Sequence, residues 1–280
     1  MHTRTPERVL LQGLAFAEAP RWHDGRLWFS DFYTGQVARV DTDGRCETLF
    51  EVPGRPSGLG WLPDGRLLVV SMSDRRLLRA DGKVLVEAAN LAALAPFDCN
   101  DMLVDRHGRA YIGNFGFDLL ARGAPAPTVL LMVTPDGAAR VVADELLFPN
   151  GCVISTDGRT LVVAETFGKR LTAFTVADDG TLSDRRIWAD LGNASPDGIC
   201  LDAEGAIWVA SPPTGEFLRV HEGGAVSERI VVDNQAIACA LGGGDGHTLF
   251  MITGRLARAP RALAERRGQI ETARVATPAA

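Results

Sequence analysis

The chain has 280 residues, of which 46% are hydrophobic and 23% are charged, a composition typical of globular proteins and too apolar for a disordered chain. Its 29 basic and 35 acidic side chains give a net charge of −6, which argues against the basic surface that nucleic acids and anionic membranes attract. The sequence has no apolar run long enough to span a membrane and no stretch typical of a secretory leader. We therefore expect neither a nucleic-acid partner nor a membrane partner.

The cysteines are far apart in the sequence and include no C-x-x-C pair. They are Cys46, Cys99, Cys152, Cys200 and Cys239. An odd number with this spacing predicts reduced thiols instead of a disulfide framework, because a chain of this length can build a core without cross-links. Reduced thiols and the lack of a leader predict a cytoplasmic protein.

The first predicted element is an extended segment, Arg8–Leu14, with no hairpin partner before it. One pattern then recurs six times: a turn ends in glycine, and a short run rich in β-forming residues follows. The six glycines are Gly25, Gly65, Gly108, Gly158, Gly205 and Gly246. Such glycine turns between extended runs indicate β-hairpins. A second turn lies between most copies, as at Asp43-Gly44 and Asp136-Gly137.

Two hairpin turns in each repeat of 40 to 50 residues give about four strands per unit, which is the size of a β-propeller blade. The sequence therefore predicts an all-β, six-bladed propeller with four antiparallel strands per blade, as a single domain over residues 1–280. Arg8–Leu14 is expected to pair with Gln269–Val275, so that N- and C-terminal strands close the ring. Short helices are expected at Ala88–Ala95 and Ala262–Arg267.

Propellers bind ligands in the central channel, at the end where the innermost strands begin. These positions lie seven or eight residues before each repeat glycine, and four of the six units have a carboxylate or an amide there. The four residues are Glu18, Asn100, Asn150 and Asp197. Oxygen donors without sulfur or imidazole select hard divalent cations, and two carboxylates balance a dication. The alternative is that the Asn-Gly and Asp-Gly pairs are only turns before strands.

Four segments resemble the family of senescence marker protein, gluconolactonase and luciferin-regenerating enzyme. They are Glu18–Trp22, Asn100–Asp105, Phe148–Gly151 and Ser195–Gly198. The resemblance implies a six-bladed propeller with one catalytic divalent ion, whose ligands are Glu18, Asn150 and Asp197. It also implies that Asn100 lies beside the metal and the substrate, and that Asp197 is the general base. Many members hydrolyse lactones, so we expect a metal-dependent lactonase that uses calcium or else zinc, manganese, magnesium or iron.

The same fold and metal are compatible with other functions. Related propellers hydrolyse organophosphates or catalyse lyase and condensation reactions, and a channel can also bind a ligand without catalysis. The sequence lacks a G-x-S-x-G nucleophile elbow, an H-E-x-x-H zinc motif and a Walker A loop, so none of those chemistries is predicted.

The expected substrate follows from a departure from the family pattern. Sugar-lactone members often have arginine two residues before the axial asparagine, and this chain has Asp98 there. A carboxylate repels an anionic substrate but accepts hydrogen bonds from hydroxyls. Phe115 and Phe117 either border the mouth, where they would contact an apolar part of the substrate, or pack between blades. We expect a small neutral lactone with apolar or aromatic character to be preferred over an acidic sugar lactone.

Overall fold

The glycine turns form as the sequence predicts. The computed structural model describes residues 2–119 and 121–280, and all six repeat glycines have positive φ in it, as at Gly65 with φ +85°. The Gly65 N–H donates to the Leu62 carbonyl, and the Leu62 N–H donates to the Arg66 carbonyl. Glycine adopts this conformation without a Cβ clash, so each turn reverses the chain between two strands.

The described residues form 25 strands and one short helix. In chain order the strands are β1 (His2–Arg4), β2 (Arg8–Leu14), β3 (Ala17–His23), β4 (Arg26–Asp31), β5 (Gln36–Val40), β6 (Cys46–Glu51), β7 (Pro56–Trp61), β8 (Leu67–Ser71), β9 (Arg76–Asp81), β10 (Val84–Asn90), β11 (Cys99–Val104), β12 (Ala110–Asn114), β13 (Thr128–Val133), β14 (Ala139–Leu146), β15 (Pro149–Ile154), β16 (Thr160–Glu165), β17 (Arg170–Val176), β18 (Leu182–Asp190), β19 (Ile199–Leu201), β20 (Ile207–Ser211), β21 (Glu216–Val220), β22 (Val226–Val231), β23 (Gln235–Gly242), β24 (Thr248–Gly254) and β25 (Gly268–Arg274).

These strands form six sheets, each with four antiparallel strands, which are the blades of a propeller. Blades 1 to 4 are β3–β6, β7–β10, β11–β14 and β15–β18, and blade 5 is β19–β22. Blade 6 contains β23, β24 and β25, and its fourth strand is β2, which pairs with β25 in the register Arg8↔Thr272. The predicted six-bladed fold and its closure by the two ends of the chain are confirmed.

Three details differ from the sequence-based expectations. Strand β1 pairs in parallel with β22 and adds a fifth strand to blade 5, which a three-residue segment gives no pattern to predict. The helix expected at Ala88–Ala95 is wrong: β10 continues to Asn90 because it pairs with β9, and the Asn90 side chain then accepts a hydrogen bond in a turn.

The second expected helix exists as α1 (Ala259–Glu265), three residues earlier than predicted. It begins early because Pro260 fits the first turn of a helix. It ends before Arg266, whose backbone φ and ψ angles are left-handed. Within the described ranges, no helix has both the length and the apolar character needed to cross a membrane.

The core lies between adjacent blades. Middle strands such as β8, β12 and β20 are buried at every position, which explains their continuous apolar runs without alternation. Between blades 1 and 2, Trp28 and Val37 pack with Leu59 and Val69. Each blade thus buries both faces against its neighbours, and the inner strands are held in fixed positions around the axis.

Ring closure makes a testable contribution to stability. On β2, Leu10 is buried at 8% exposure, while Val9 next to it is 46% exposed. We expect Leu10→Ala to cost about 2–5 kcal/mol and to lower Tm by about 5–15 °C, measured by thermal unfolding. The matched control Val9→Ala, on the same strand, should change Tm by less than about 2 °C. Equal effects of both variants would contradict this account of the closure.

Candidate active site

Four side chains predicted from the sequence come together at one end of the channel. Glu18, Asn100 and Asn150 lie near the start of the inner strands β3, β11 and β15, and Asp197 lies two residues before β19. All four line one cavity of about 290 Å³. The candidate site is therefore built from blades 1, 3, 4 and 5.

Irregular strand pairing lies beside Glu18, Asn100 and Asn150. The register between an inner strand and its neighbour shifts between Glu18 and Arg21 in blade 1, and between Pro149 and Cys152 in blade 4. Blades 2, 3 and 6 have the same shift near the start of their inner strands. Bulges of this kind redirect side chains and are frequent beside active sites.

The glycines that follow Asn150 and Asp197 allow the inner strands to approach closely. A Cβ on Gly151 would lie 2.8 Å from the Asp197 carbonyl oxygen, and a Cβ on Gly198 would lie 2.4 Å from the Ala238 Cβ. Neither glycine has positive φ. These Asn-Gly and Asp-Gly pairs are therefore close-packing positions and not hairpin turns, which answers the alternative left open by the sequence.

A hydrogen-bond network holds Asp197. The Asn150 amide donates to the Asp197 carboxylate and to the Thr166 hydroxyl, the latter over 3.3 Å. The Thr166 hydroxyl donates to the Pro196 carbonyl at 2.8 Å. Thr166 was not predicted as a site residue, because it lies after the second strand of blade 4 and not at the start of an inner strand.

Glu18 has a fixed partner of its own. The Ser57 hydroxyl donates to its carboxylate at 2.9 Å, and the Ser30 hydroxyl donates to the Ser57 carbonyl at 2.6 Å. Ser57 occupies in blade 2 the position that holds a carboxylate or an amide in blades 1, 3, 4 and 5. No role for Ser57 was predicted from the sequence, although its position in the repeat was the available signal.

Burial makes the carboxyl groups of Glu18 and Asp197 weaker acids than exposed carboxyl groups. Desolvation raises the pKa of Glu18 to about 7, against the Ser57 hydrogen bond, which lowers it, and with a smaller increase from the Asp101 charge. Desolvation also raises the pKa of Asp197 well above the ordinary aspartate value, and the charge of Glu18 adds to the effect. Two acidic groups that disfavour each other's ionised form are suited to share a cation or a proton.

The residues at this site fit a hard divalent cation. Two carboxylates supply compensating charge, and the Asn100 Oδ1 is buried without a hydrogen-bond partner among the described residues, while its Nδ2 donates to the Pro149 carbonyl. The described part of the chain holds no group of three or more His, Cys, Asp or Glu side chains able to bind a metal. A cation here would therefore need amide oxygens and water besides Glu18 and Asp197. Asn150 now presents its Nδ2 to Asp197, so ligation by its Oδ1 requires the amide to turn.

Apolar side chains form much of the rest of the cavity wall. Phe115 lines the cavity and stacks on Phe148, with ring centroids 4.7 Å apart. Phe167 also lines it and is 40% exposed. Phe117 is not among the described lining residues: it is 9% exposed and packs edge-on against Phe148 and Phe167. Phe115 thus faces the cavity, and Phe117 supports the rings that do.

Asp98 lines the cavity together with Arg55, a cationic side chain that was not predicted there from the sequence. Burial raises the pKa of Asp98, and the charges of Arg55 and Arg75 oppose that effect. The Arg75 guanidinium donates to carbonyls of the Ala92–Ala95 turn, whereas the Arg55 guanidinium donates no hydrogen bond to the described residues and lies over the Tyr33 ring, 5.9 Å from its centroid. Arg55 lines the cavity from the segment before β7. It was missed because no sequence pattern links that segment to Asp98.

The chain is similar to proteins that are named lactonases. The family profile described as SMP-30/Gluconolactonase/LRE-like region matches residues 16–255. The 6-deoxy-6-sulfogluconolactonase of Pseudomonas putida is 28% identical over 267 residues, which cover 92% of this chain and 89% of the relative. The pentonolactonase of Haloferax volcanii is 24% identical over 257 residues, covering 89% and 85%.

A solved structure supports the fold. The calcium-binding protein regucalcin from Agrobacterium tumefaciens matches with a TM-score of 0.84 at 21% identity, over 100% of this chain and 97% of that one. At this identity the similarity shows the shared six-bladed propeller.

Proposed function

Because the chain belongs to the SMP-30/gluconolactonase/LRE-like family, we propose that it hydrolyses a lactone with a divalent cation held by Glu18, Asn150 and Asp197. The observation that carries the proposal is the convergence of two buried carboxyls and two amides in one largely apolar cavity. A channel that only bound a ligand would not need Asp197 as a candidate general base. Calcium is the first candidate for the ion, with zinc, manganese, magnesium or iron as the others.

A cation held by these residues would supply Lewis-acid polarisation of the lactone carbonyl and would lower the pKa of nearby water. Asp197 is the general base, which accepts a proton from the water that attacks the carbonyl carbon. After the ring opens, Asp197 returns the proton to the leaving alkoxide oxygen. No covalent nucleophile is required.

The surrounding side chains position these groups. The Asn150 amide donates to the Asp197 carboxylate and to the Thr166 hydroxyl, the Thr166 hydroxyl donates to the Pro196 carbonyl, and the Ser57 hydroxyl donates to the Glu18 carboxylate. The unpartnered Oδ1 of Asn100 can accept a hydrogen bond from a substrate hydroxyl. Asp98 and Arg55 together offer an acceptor and a donor at the cavity wall, with opposite charges that offset each other.

The apolar wall supports a neutral lactone with an alkyl or aryl substituent as the preferred substrate. The test compares kcat/KM, at saturating metal, for substituted lactones, neutral aldonolactones and an anionic sugar lactone. We expect the substituted lactones to be preferred and the anionic one to be poorest. A preference for aldonolactones would contradict the proposed substrate class but not the proposed lactone hydrolysis. Absence of hydrolysis in all three sets, with metal bound, would favour lyase, condensation or binding functions instead.

Phe167 offers a direct test of the apolar contact. Removing its ring forfeits about 50 Å² of contact, which at about 25 cal/mol per Å² is about 1.3 kcal/mol or roughly tenfold. We therefore expect Phe167→Ala to lower kcat/KM for an aryl-substituted lactone about tenfold and to leave that for the unsubstituted ring within about twofold.

The control for this variant is Leu263→Ala, since Leu263 is similarly exposed at 39% but lies on α1 and is not among the cavity-lining residues. It should change neither value. Equal losses of Phe167→Ala on both substrates would indicate damage to the site and not loss of a substituent contact.

A further inference from the structure

A second chemically distinctive site lies further along the same inner strands. Cys200 on β19 and Cys239 on β23 place their sulfur atoms 3.6 Å apart. Both line a separate cavity of about 340 Å³ between the inner strands. Neither thiol has a role in the proposed lactone chemistry, and the two belong to adjacent blades.

The two strands that carry this pair pack closely against each other. The Gly198 N–H donates to the Ile237 carbonyl at 2.9 Å, which ties the start of β19 to β23. A Cβ on Gly198 would lie within 2.7 Å of the Ala238 Cα, so the two strands are in direct contact beside the cysteines. Forming a disulfide from 3.6 Å requires the sulfur atoms to approach by about 1.5 Å. Side-chain rotation with a small strand movement supplies such a shift.

The two thiols differ in access. Cys239 is buried, and its Sγ contacts the Trp208 carbonyl oxygen at 3.5 Å and the Gly198 carbonyl oxygen at 3.8 Å. Cys200 is only partly buried and borders the cavity. A small reagent that enters the cavity therefore meets Cys200 first, with Cys239 behind it as the resolving thiol.

We propose that Cys200 and Cys239 are an oxidative modification site, at which a low-molecular-weight disulfide converts the thiol pair to a disulfide between blades 5 and 6. The Cys200 thiolate attacks one sulfur of the reagent and expels the first thiolate. The Cys239 thiolate then attacks the Cys200 sulfur and expels the second. The two cysteines lose two electrons and two protons, which leave with the two reduced thiols.

The cross-link joins inner strands that are otherwise held by packing and few hydrogen bonds. In the unfolded chain the cross-link keeps Cys200 and Cys239 together and so lowers the conformational entropy of that state. The oxidised protein is therefore the more stable form. We expect a rise in Tm of about 5 °C on oxidation. This inference is independent of the proposed lactonase activity, because its readouts are thiol content, peptide connectivity and Tm.

The experiment uses the full-length Cys46→Ser variant, which lacks the exposed thiol, treated with oxidised glutathione and then alkylated under denaturing conditions. The expected product is two hydrogens lighter, has two fewer alkylatable thiols and yields one cross-linked peptide pair containing Cys200 and Cys239. The same variant with Cys200→Ser added should give no cross-link and no Tm rise. Adding Cys152→Ser instead, at a cysteine lining the same cavity, should preserve both.

Wild-type protein shows that the reagent is active, because its exposed Cys46 should form a mixed disulfide with glutathione. Cys200 and Cys239 that stay fully alkylatable under conditions that modify Cys46 would overturn the proposal. So would a mixed disulfide that remains on Cys200, since it would show that Cys239 cannot resolve it. If Cys200→Ser lowers the Tm of the reduced protein, Cys239→Ala replaces it as the variant without a cross-link.

Discussion

Replacing Asp197 with asparagine is expected to lower kcat/KM for lactone hydrolysis by about 10²–10⁴-fold at saturating metal. The amide keeps the shape of the side chain and one neutral oxygen but cannot accept the proton of the attacking water. Saturating metal separates loss of the base from weaker ion binding. The remaining activity should rise with hydroxide concentration, because solvent then supplies the base, and the measurement is a pH profile of kcat/KM.

The matched control is Asp184→Asn, which removes an exposed carboxylate from β18 by the same chemical change. It should retain wild-type kinetics. If Asp197→Asn keeps more than about a tenth of the wild-type kcat/KM with an unchanged pH profile, another group is the base, and the mechanism proposed for Asp197 is wrong.

Much of the fold could be predicted because its local signals repeat. Each Asp-Gly type turn has a conformation that glycine favours, and six copies at similar spacing leave few alternatives to a propeller. Closure by Arg8–Leu14 was predictable because that strand had no local partner. A helix was wrongly predicted for the alanine-rich segment Ala88–Ala95, because the pairing of β10 with β9 outweighs its helix propensity. Strand β1 was missed because its pairing with β22 depends only on tertiary contact.

The candidate site divides in the same way. The axial positions were predictable because equivalent residues of each repeat meet around the channel. Thr166 and Arg55 were not, because each reaches the cavity from outside those positions. For Phe115 and Phe117, two residues apart, only the structure could tell which ring faces the cavity, since the segment after β12 has no regular alternation to decide it.

Removing both charges from the proposed metal site is expected to abolish stoichiometric cation binding. The double variant Glu18→Gln, Asp197→Asn keeps the side-chain shapes but leaves only neutral oxygens, and affinity for divalent cations depends strongly on ligand charge. We expect a loss of at least about 100-fold in affinity for Ca²⁺ or Mn²⁺, measured by calorimetry on metal-stripped protein. Asn150→Ala removes a neutral oxygen and should cost less, about tenfold.

The control for the double variant is Asp144→Asn, Asp184→Asn, which removes two exposed carboxylates and the same net charge. It should bind one cation per chain with unchanged affinity, which separates a local ligand effect from long-range electrostatics.

The affinity of the wild-type protein for the cation should also increase with pH. Because the pKa of Glu18 is raised to about 7 in the metal-free protein, protons compete with the cation below that pH. Affinity should therefore rise about tenfold from pH 6 to pH 8 as this carboxyl ionises. One tightly bound metal per chain in the Glu18→Gln, Asp197→Asn variant would mean that the ion binds elsewhere, and the lactonase mechanism built on these two carboxylates would have to be abandoned.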